Sequence, residues 1–194
     1  MKIHVSKGNS KMGKIPSFSL LPGVTCSKEA CATCLKEGCY AAKLCRIYPT
    51  VRNAYTENTD LVRNGEFMQQ MFDWLNKYRP AYFRVHVSGD FDNVGYACCW
   101  AELAERFPGT QFLAFTKQFD IVRSVTFPDN FRVVLSSWGD SLPPEDLMQR
   151  YPVTYVDDGK TAFPEDTFRC AGDCEHCRKC WEVGAGESVT FGKH

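Results

Sequence analysis

Between residues 64 and 157 the chain alternates helix-period and strand-period segments, and this constrains the fold more than any other feature. Residues 64–79 place Phe67, Met68, Met71, Phe72, Leu75 and Tyr78 at i, i+3, i+4 spacing, and Pro80 ends the segment. A strand is expected at 82–87, with Phe83, Val85 and Val87 on one face, running into Ser88-Gly89-Asp90. Asp92 or Asn93 can cap a helix over 94–107, anchored by Tyr96, Trp100, Leu103 and Phe107 and stopped by Pro108-Gly109. Strands follow at 111–116, 131–136 and 153–156, with a short amphipathic stretch at 120–125. An earlier strand is expected at 15–21.

Strand and helix in alternation imply right-handed crossovers and a parallel sheet. Ligands of such sheets bind beyond the carboxyl ends of the strands. Those ends carry Ser88-Gly89-Asp90, Thr116-Lys117, Ser136-Ser137-Trp138 and Asp157-Asp158. The chain has 194 residues, fewer than the roughly 250 of a full eight-fold barrel. The expected fold is therefore α/β, a partial parallel (β/α) barrel of about five or six strands. One domain is expected, with a cysteine loop over 1–54, a core over 55–160 and a cysteine run over 161–194.

Eleven cysteines are distributed unevenly: Cys26, Cys31, Cys34, Cys39 and Cys45 early, Cys170, Cys174, Cys177 and Cys180 late, and only Cys98 and Cys99 between. No signal peptide or membrane-length apolar run is evident, so a cytoplasmic location with reduced thiols is expected. There, cysteines in this number are metal ligands or catalytic thiols rather than disulfides. Asp173, Glu175, His176, Arg178 and Lys179 separate the late thiols, so packing does not explain them. Overlapping two-residue gaps suit a chain that wraps an iron–sulfur cubane. Structural zinc more often uses two Cys-x-x-Cys pairs with a loop between them, and it stands as the alternative. The early group has looser spacing and is a candidate second cluster site. Cys45, Cys98 and Cys99 are expected as buried or half-buried small residues, and His86 as a hydrogen-bonded core histidine.

Charge narrows the partners. Lys plus Arg equals Asp plus Glu at 23 each, which does not favour nucleic acid without excluding it. Lys2, Lys7, Lys11 and Lys14 stand without an acid near the start, and are expected as a solvated arm.

Several motifs carry a family resemblance. They are Ser6-Lys7-Gly8-Asn9-Ser10-Lys11, Ile15-Pro16, Leu21-Pro22-Gly23 with Thr25-Cys26, Cys39-Tyr40-Ala41, Tyr48-Pro49-x-Val51-Arg52, Arg84-x-His86-Val87-Ser88-Gly89-Asp90, Phe112-Leu113-Ala114-Phe115-Thr116-Lys117 and Pro128-x-Asn130. Val133-Val134-Leu135-Ser136, the 170–180 run with Trp181, and Lys193-His194 complete the set. Over essentially its whole length the chain resembles the gene product 88 family of actinobacteriophages and bacterial genomes. More distantly it is similar to a second phage family (gene products 37 and 68) that looks like a branch of the radical S-adenosylmethionine barrel proteins. That likeness implies a cluster on the early thiols and S-adenosylmethionine as cofactor. It also implies that Ser88-Gly89-Asp90 forms the turn meeting the cofactor's amino group. The early spacing departs from the Cys-x3-Cys-x2-Cys loop of those enzymes.

The resulting expectation is an iron–sulfur protein with two 4Fe-4S clusters. Cys26, Cys31, Cys34 and Cys39 are assigned to one and Cys170, Cys174, Cys177 and Cys180 to the other. Ser88, Gly89, Asp90, Lys117, Ser136 and Asp157 are expected to line a site for a small or nucleotide-like substrate, with an electron donor as partner if the protein is redox-active. The competing expectation is a non-enzymatic zinc or iron–sulfur module that binds nucleic acid or a host protein.

Overall fold

The computed structural model describes residues 1–193; His194, in the last matching motif, lies outside the described residues. The chain opens with β1 (Val5–Ser6) and β2 (Ser17–Phe18), then α1 (Lys28–Glu37), α2 (Tyr40–Ile47), α3 (Pro49–Arg63) and α4 (Phe67–Tyr78). The central units are β3 (Tyr82–Val85), α5 (Val94–Arg106), β4 (Gln111–Thr116), α6 (Phe119–Ser124) and β5 (Phe131–Ser137). α7 (Glu145–Met148), β6 (Val153–Asp157), β7 (Phe168–Arg169), α8 (Cys174–Cys177), α9 (Lys179–Glu182) and β8 (Ser188–Gly192) complete it.

These strands form one eight-stranded sheet in the order β1-β2-β3-β4-β5-β6-β8-β7. Only the β1–β2 pair is antiparallel. The fold is thus mixed α/β on a mostly parallel sheet. From β2 to β6 the order follows the chain, so right-handed crossovers all advance in one direction and set their helices on one face. That face holds the larger core: Phe83, Val85, Phe112, Ala114, Val133 and Leu135 meet Phe67, Met71 and Leu75 of α4 and Trp100 and Leu103 of α5.

The other face needs a different cover, because strands buried on both sides are apolar on both sides. Leu113, Val134 and Val189 point that way and pack with Met12, Ile15, Trp181 and Val183. The lysine-bearing first segment is therefore not a solvated arm. Met12 and Ile15 are buried, the Lys11 carbonyl accepts from the Cys174 backbone N–H at 2.9 Å, and Lys11 Nζ lies 4.8 Å from the Phe191 ring centroid. Removing this bare sheet face from water outweighs solvating four lysine stems, whose charged ends reach solvent anyway.

The helix expected at 64–79 is α4, and the expected strand at 111–116 is β4. The strand at 82–87 stops at Val85, because His86 takes a left-handed φ of 62°. The one expected at 15–21 reduces to two paired residues. Cys45 is buried and Cys99 half-buried, whereas Cys98 is exposed on the outer side of α5. No described helix is long and apolar enough to cross a membrane.

Candidate metal centres and the strand-end site

All eleven cysteines are free, and eight of them gather in two places. The first is at the carboxyl edge of the sheet. After β2 the chain climbs through Leu20 and Leu21 into the Cys26 loop, and side chains from neighbouring turns fasten it there. Ser88 Oγ donates to the Leu20 carbonyl at 3.0 Å, and the Asp90 N–H donates to Thr25 Oγ1 at 3.1 Å. Gln118 Nε2 reaches the Thr25 carbonyl at 3.0 Å. Gly89, with φ +74°, lets the loop approach: a Cβ there would lie 2.6 Å from Thr25 Oγ1 and 2.8 Å from Leu20 Cβ.

Helix α1 continues across the same edge. Ser27 caps it by accepting from the Ala30 N–H at 3.1 Å. Cys31 and Cys34 are three apart and share one side of the helix. Cys31 Sγ faces the Gly23 carbonyl at 3.5 Å and the Cys26 carbonyl at 4.0 Å. Thr33 touches the turn after β5, where a Cβ on Gly139 would lie 2.9 Å from its Cγ2. Cys39 stands at the start of α2, and the Tyr40 hydroxyl donates to the Val87 carbonyl.

Beneath these thiols lie Asp90, Thr116, Lys117 and Ser136. Asp90 Oδ1 accepts from Thr116 Oγ1 at 2.6 Å and from the Phe91 N–H at 2.8 Å; Oδ2 accepts from the Lys117 N–H at 2.8 Å. Three of the carboxylate's roughly four acceptor positions are thus filled by the protein. Burial nevertheless pushes Asp90 up to about 6, against the lowering effect of those hydrogen bonds. Lys117 Nζ donates to Ser136 Oγ at 2.6 Å. No described carboxylate lies within ion-pair distance of Lys117, whose charge acts on the Asp90 carboxyl and the Cys34 thiol. Ser88, Gly89 and Asp90 hold the cysteine loop in place, and Lys117 and Ser136, joined to each other, are half-buried at the ends of β4 and β5. Asp157 pairs with Arg169 at 3.1 Å and caps the Gly159 N–H.

The second gathering lies at the sheet's other face. Cys170, Cys174, Cys177 and Cys180 line a single recess with Phe168, Asp173, Arg178 and Trp181. Asp173 caps α8, while Arg178, in a left-handed φ of 53°, breaks α8 from α9 and turns the chain back. Trp181 is buried and its Nε1 donates to the Gln111 carbonyl at 3.1 Å, which anchors α9 against β4. The Cys170 N–H donates to the Thr190 carbonyl, tying the first thiol to β8.

Burial pushes Cys26 and Cys180 each up to about 12; Asp90 adds to the rise at Cys26, and Arg84 opposes it at Cys180. Burial also raises Cys31, Cys34 and Cys174, with Lys117 opposing it at Cys34 and Arg84 at Cys174. Burial outweighs those side-chain cations and keeps these thiols protonated, so metal binding must drive their protons off. Among the described residues no three His, Cys, Asp or Glu side chains are placed to hold one metal ion. A cubane spreads its thiolates over several irons and uses wider sulfur spacing than a single tetrahedral ion. The donors are soft and all sulfur, four thiols to a group, the type that iron–sulfur clusters and zinc take, but among the described residues their placement brings no three of them around a single ion.

Thr25, Thr116 and Arg84 stand in the motifs and strand ends named from the sequence but carry no role there, and Gln118 is not singled out; Thr25 and Gln118 fasten the cysteine loop and Thr116 holds Asp90. Thr25 precedes Cys26 and Thr116-Gln118 flank Lys117, so polar residues adjoining candidate ligands were the available signal.

Residues 3–183 match the family described as Gene product 88. The chain is 32% identical over 128 residues to the "Gene 88 protein" of Mycobacterium phage D29 and 30% identical over the same length to that of phage L5. Each alignment covers 59% of this chain and 53% of the relative, so the chain spans about half the length of these curated relatives. No solved structure matches. With a match running through both cysteine groups and the sheet between them, the chain belongs to the Gene product 88 family.

Proposed function

We propose that this chain is an iron–sulfur protein whose redox or radical chemistry occurs at the carboxyl edge of the sheet. The molecule acted upon is small or nucleotide-like. The observation that carries the reading is the placement of Cys26, Cys31, Cys34 and Cys39 over the turns that present Asp90 and Lys117. Open α/β sheets bind ligands at that edge. Three or four of those thiols would hold one 4Fe-4S cluster, three of them (Cys26, Cys34 and Cys39) where an iron is left free for the nucleotide-like molecule, and Cys170, Cys174, Cys177 and Cys180 would hold the other.

A bound cluster supplies single electrons, which an external donor must replace. The chain's own residues do the rest. Lys117 neutralises a carboxylate or phosphate, and Ser136 fixes its ammonium by accepting a hydrogen bond. Asp90 fixes the Lys117 backbone and keeps one acceptor position for an amine or ribose hydroxyl. Thr25 and Gln118 hold the loop against the sheet. Cys177 is exposed and its recess reaches solvent, which suits a structural or electron-relay role for the second group.

In the finer form of this reading the sheet is a section of a (β/α) barrel and the nucleotide-like molecule is S-adenosylmethionine. The test is incubation of anaerobically purified protein with S-adenosylmethionine and a strong reductant. Deoxyadenosine is the expected product, reduced at least tenfold by Cys34→Ser. Its absence from iron-loaded protein overturns the S-adenosylmethionine form. A colourless protein with stoichiometric zinc overturns the iron–sulfur reading itself.

A further inference from the structure

Arg84 is the one cation of β3, and it points away from the helix-covered core. Its neighbours Phe83 and Val85 enter that core, so alternation turns Arg84 toward the face that carries the late cysteines. The guanidinium lies over the Phe115 ring at 4.0 Å from the centroid. Phe115 packs in the same cluster as Cys170, Cys174 and Cys180. Arg84 Nε donates to the His86 carbonyl at 3.1 Å. No described carboxylate pairs with this side chain; the groups that act on its charge are Tyr40 and the thiols of Cys180, Cys174 and Cys170.

A half-buried guanidinium without an acid is costly unless another anion compensates it. Neutral thiols do not. Thiolates bound to a metal do: four around one divalent ion leave a net charge of about −2, and an iron–sulfur cluster gains a further negative charge on reduction. A cation beside such a group stabilises the thiolates, and more strongly the reduced form.

We propose that Arg84 is the counter-charge of a negatively charged metal–thiolate group held by Cys170, Cys174, Cys177 and Cys180, and that it sets how readily this group takes an electron. It is a positioning residue, since it acts through the thiolates. The proposal rests on the metal-bearing part of the reading above, not on the reaction at the strand ends.

The experiment uses the full chain, purified without oxygen, with Arg84→Gln and Arg84→Lys beside the unaltered protein. Iron, sulfide and zinc per chain are measured first, then the midpoint potentials of the cluster signals. Arg84→Gln is expected to lower one midpoint by a tenfold or greater change in the reduced-to-oxidised equilibrium, which for one electron is about 59 mV. Arg84→Lys keeps the charge and is expected to stay within threefold, a result that also supports the proposal should Arg84→Gln fail to fold. Equal losses in both variants assign Arg84 to packing on Phe115 and overturn the proposal, as do unchanged midpoints in a folded Arg84→Gln. If zinc replaces iron, the iron–sulfur reading and the electron-affinity part of this proposal fail, while the counter-charge part stands on another readout. Zinc loss to a chelator is then expected to be at least tenfold faster in Arg84→Gln and within threefold in Arg84→Lys, and equal rates overturn it. Unaltered protein with no metal on the late thiols overturns both.

Discussion

Gly89 and Asp90 separate two roles that a glycine-acid turn at a strand end can play. The space a side chain at Gly89 would fill belongs to Thr25 and Leu20. Its backbone angle is one that L-residues rarely adopt. Gly89→Ala is therefore expected to destabilise the chain by about 2–4 kcal/mol in urea unfolding; a change below about 0.5 kcal/mol would contradict the packing described. Asp90 carries a sharper prediction. Its folded value of about 6 lies above the ordinary unfolded value near 3.9. Between those two values the native state holds more proton than the unfolded one. Asp90's contribution to stability is thus most favourable below about pH 4 and declines as pH rises to about 6. Carbon-13 titration of its carboxyl in the metal-free chain is expected to show a midpoint near 6, and a midpoint near 4 would contradict the burial argument. Asp90→Asn should flatten the pH dependence of stability across that window.

At the scale of elements, short segments decide what the sheet's second face becomes. α9 is four residues long, yet Trp181 fills the space over β4. Trp181→Ala is expected to cost about 3–5 kcal/mol and to loosen the late thiols; near-infrared or visible spectra of the loaded protein, beside thermal unfolding, check both effects. Legibility followed how much each element owed to its own residues. β4 was readable because Phe112-Leu113-Ala114-Phe115 lies between Pro108-Gly109 and a polar end. α5 was readable because Asn93 precedes a helical apolar stripe, and Asn93 does accept from the Tyr96 N–H. β8 was not: Ser188-Val189-Thr190-Phe191-Gly192 is short and half polar, and it becomes a strand by lying between β6 and β7. α1 and α3 were overlooked although Ser27 and Pro49 marked their starts, because a cysteine loop was expected there. The ligand groups themselves were legible as clusters of one chemical type. The contacts that position them, such as Thr25 with Asp90, join residues 65 apart and have no local pattern.

Over the whole molecule, the two cysteine groups occupy different places on one sheet. The early group lies over the strand ends, and the late group covers the face opposite the crossover helices. Loading either group with metal must release protons from thiols that burial holds protonated, so metal affinity is expected to fall steeply with acid. With zinc as the probe metal, proton release on anaerobic loading in weakly buffered solution is expected from the buried thiols of each group; release near zero would mean the thiols are not ligands. The most direct test of the central claim is the iron, acid-labile sulfide and zinc content of protein purified without oxygen. About four irons and four sulfides per cysteine group are expected, falling by half when Cys26, Cys31, Cys34 and Cys39 are all replaced by serine. The same fall is expected when the four late cysteines are replaced instead. Stoichiometric zinc without labile sulfide, or iron unaffected by either replacement, would contradict the account.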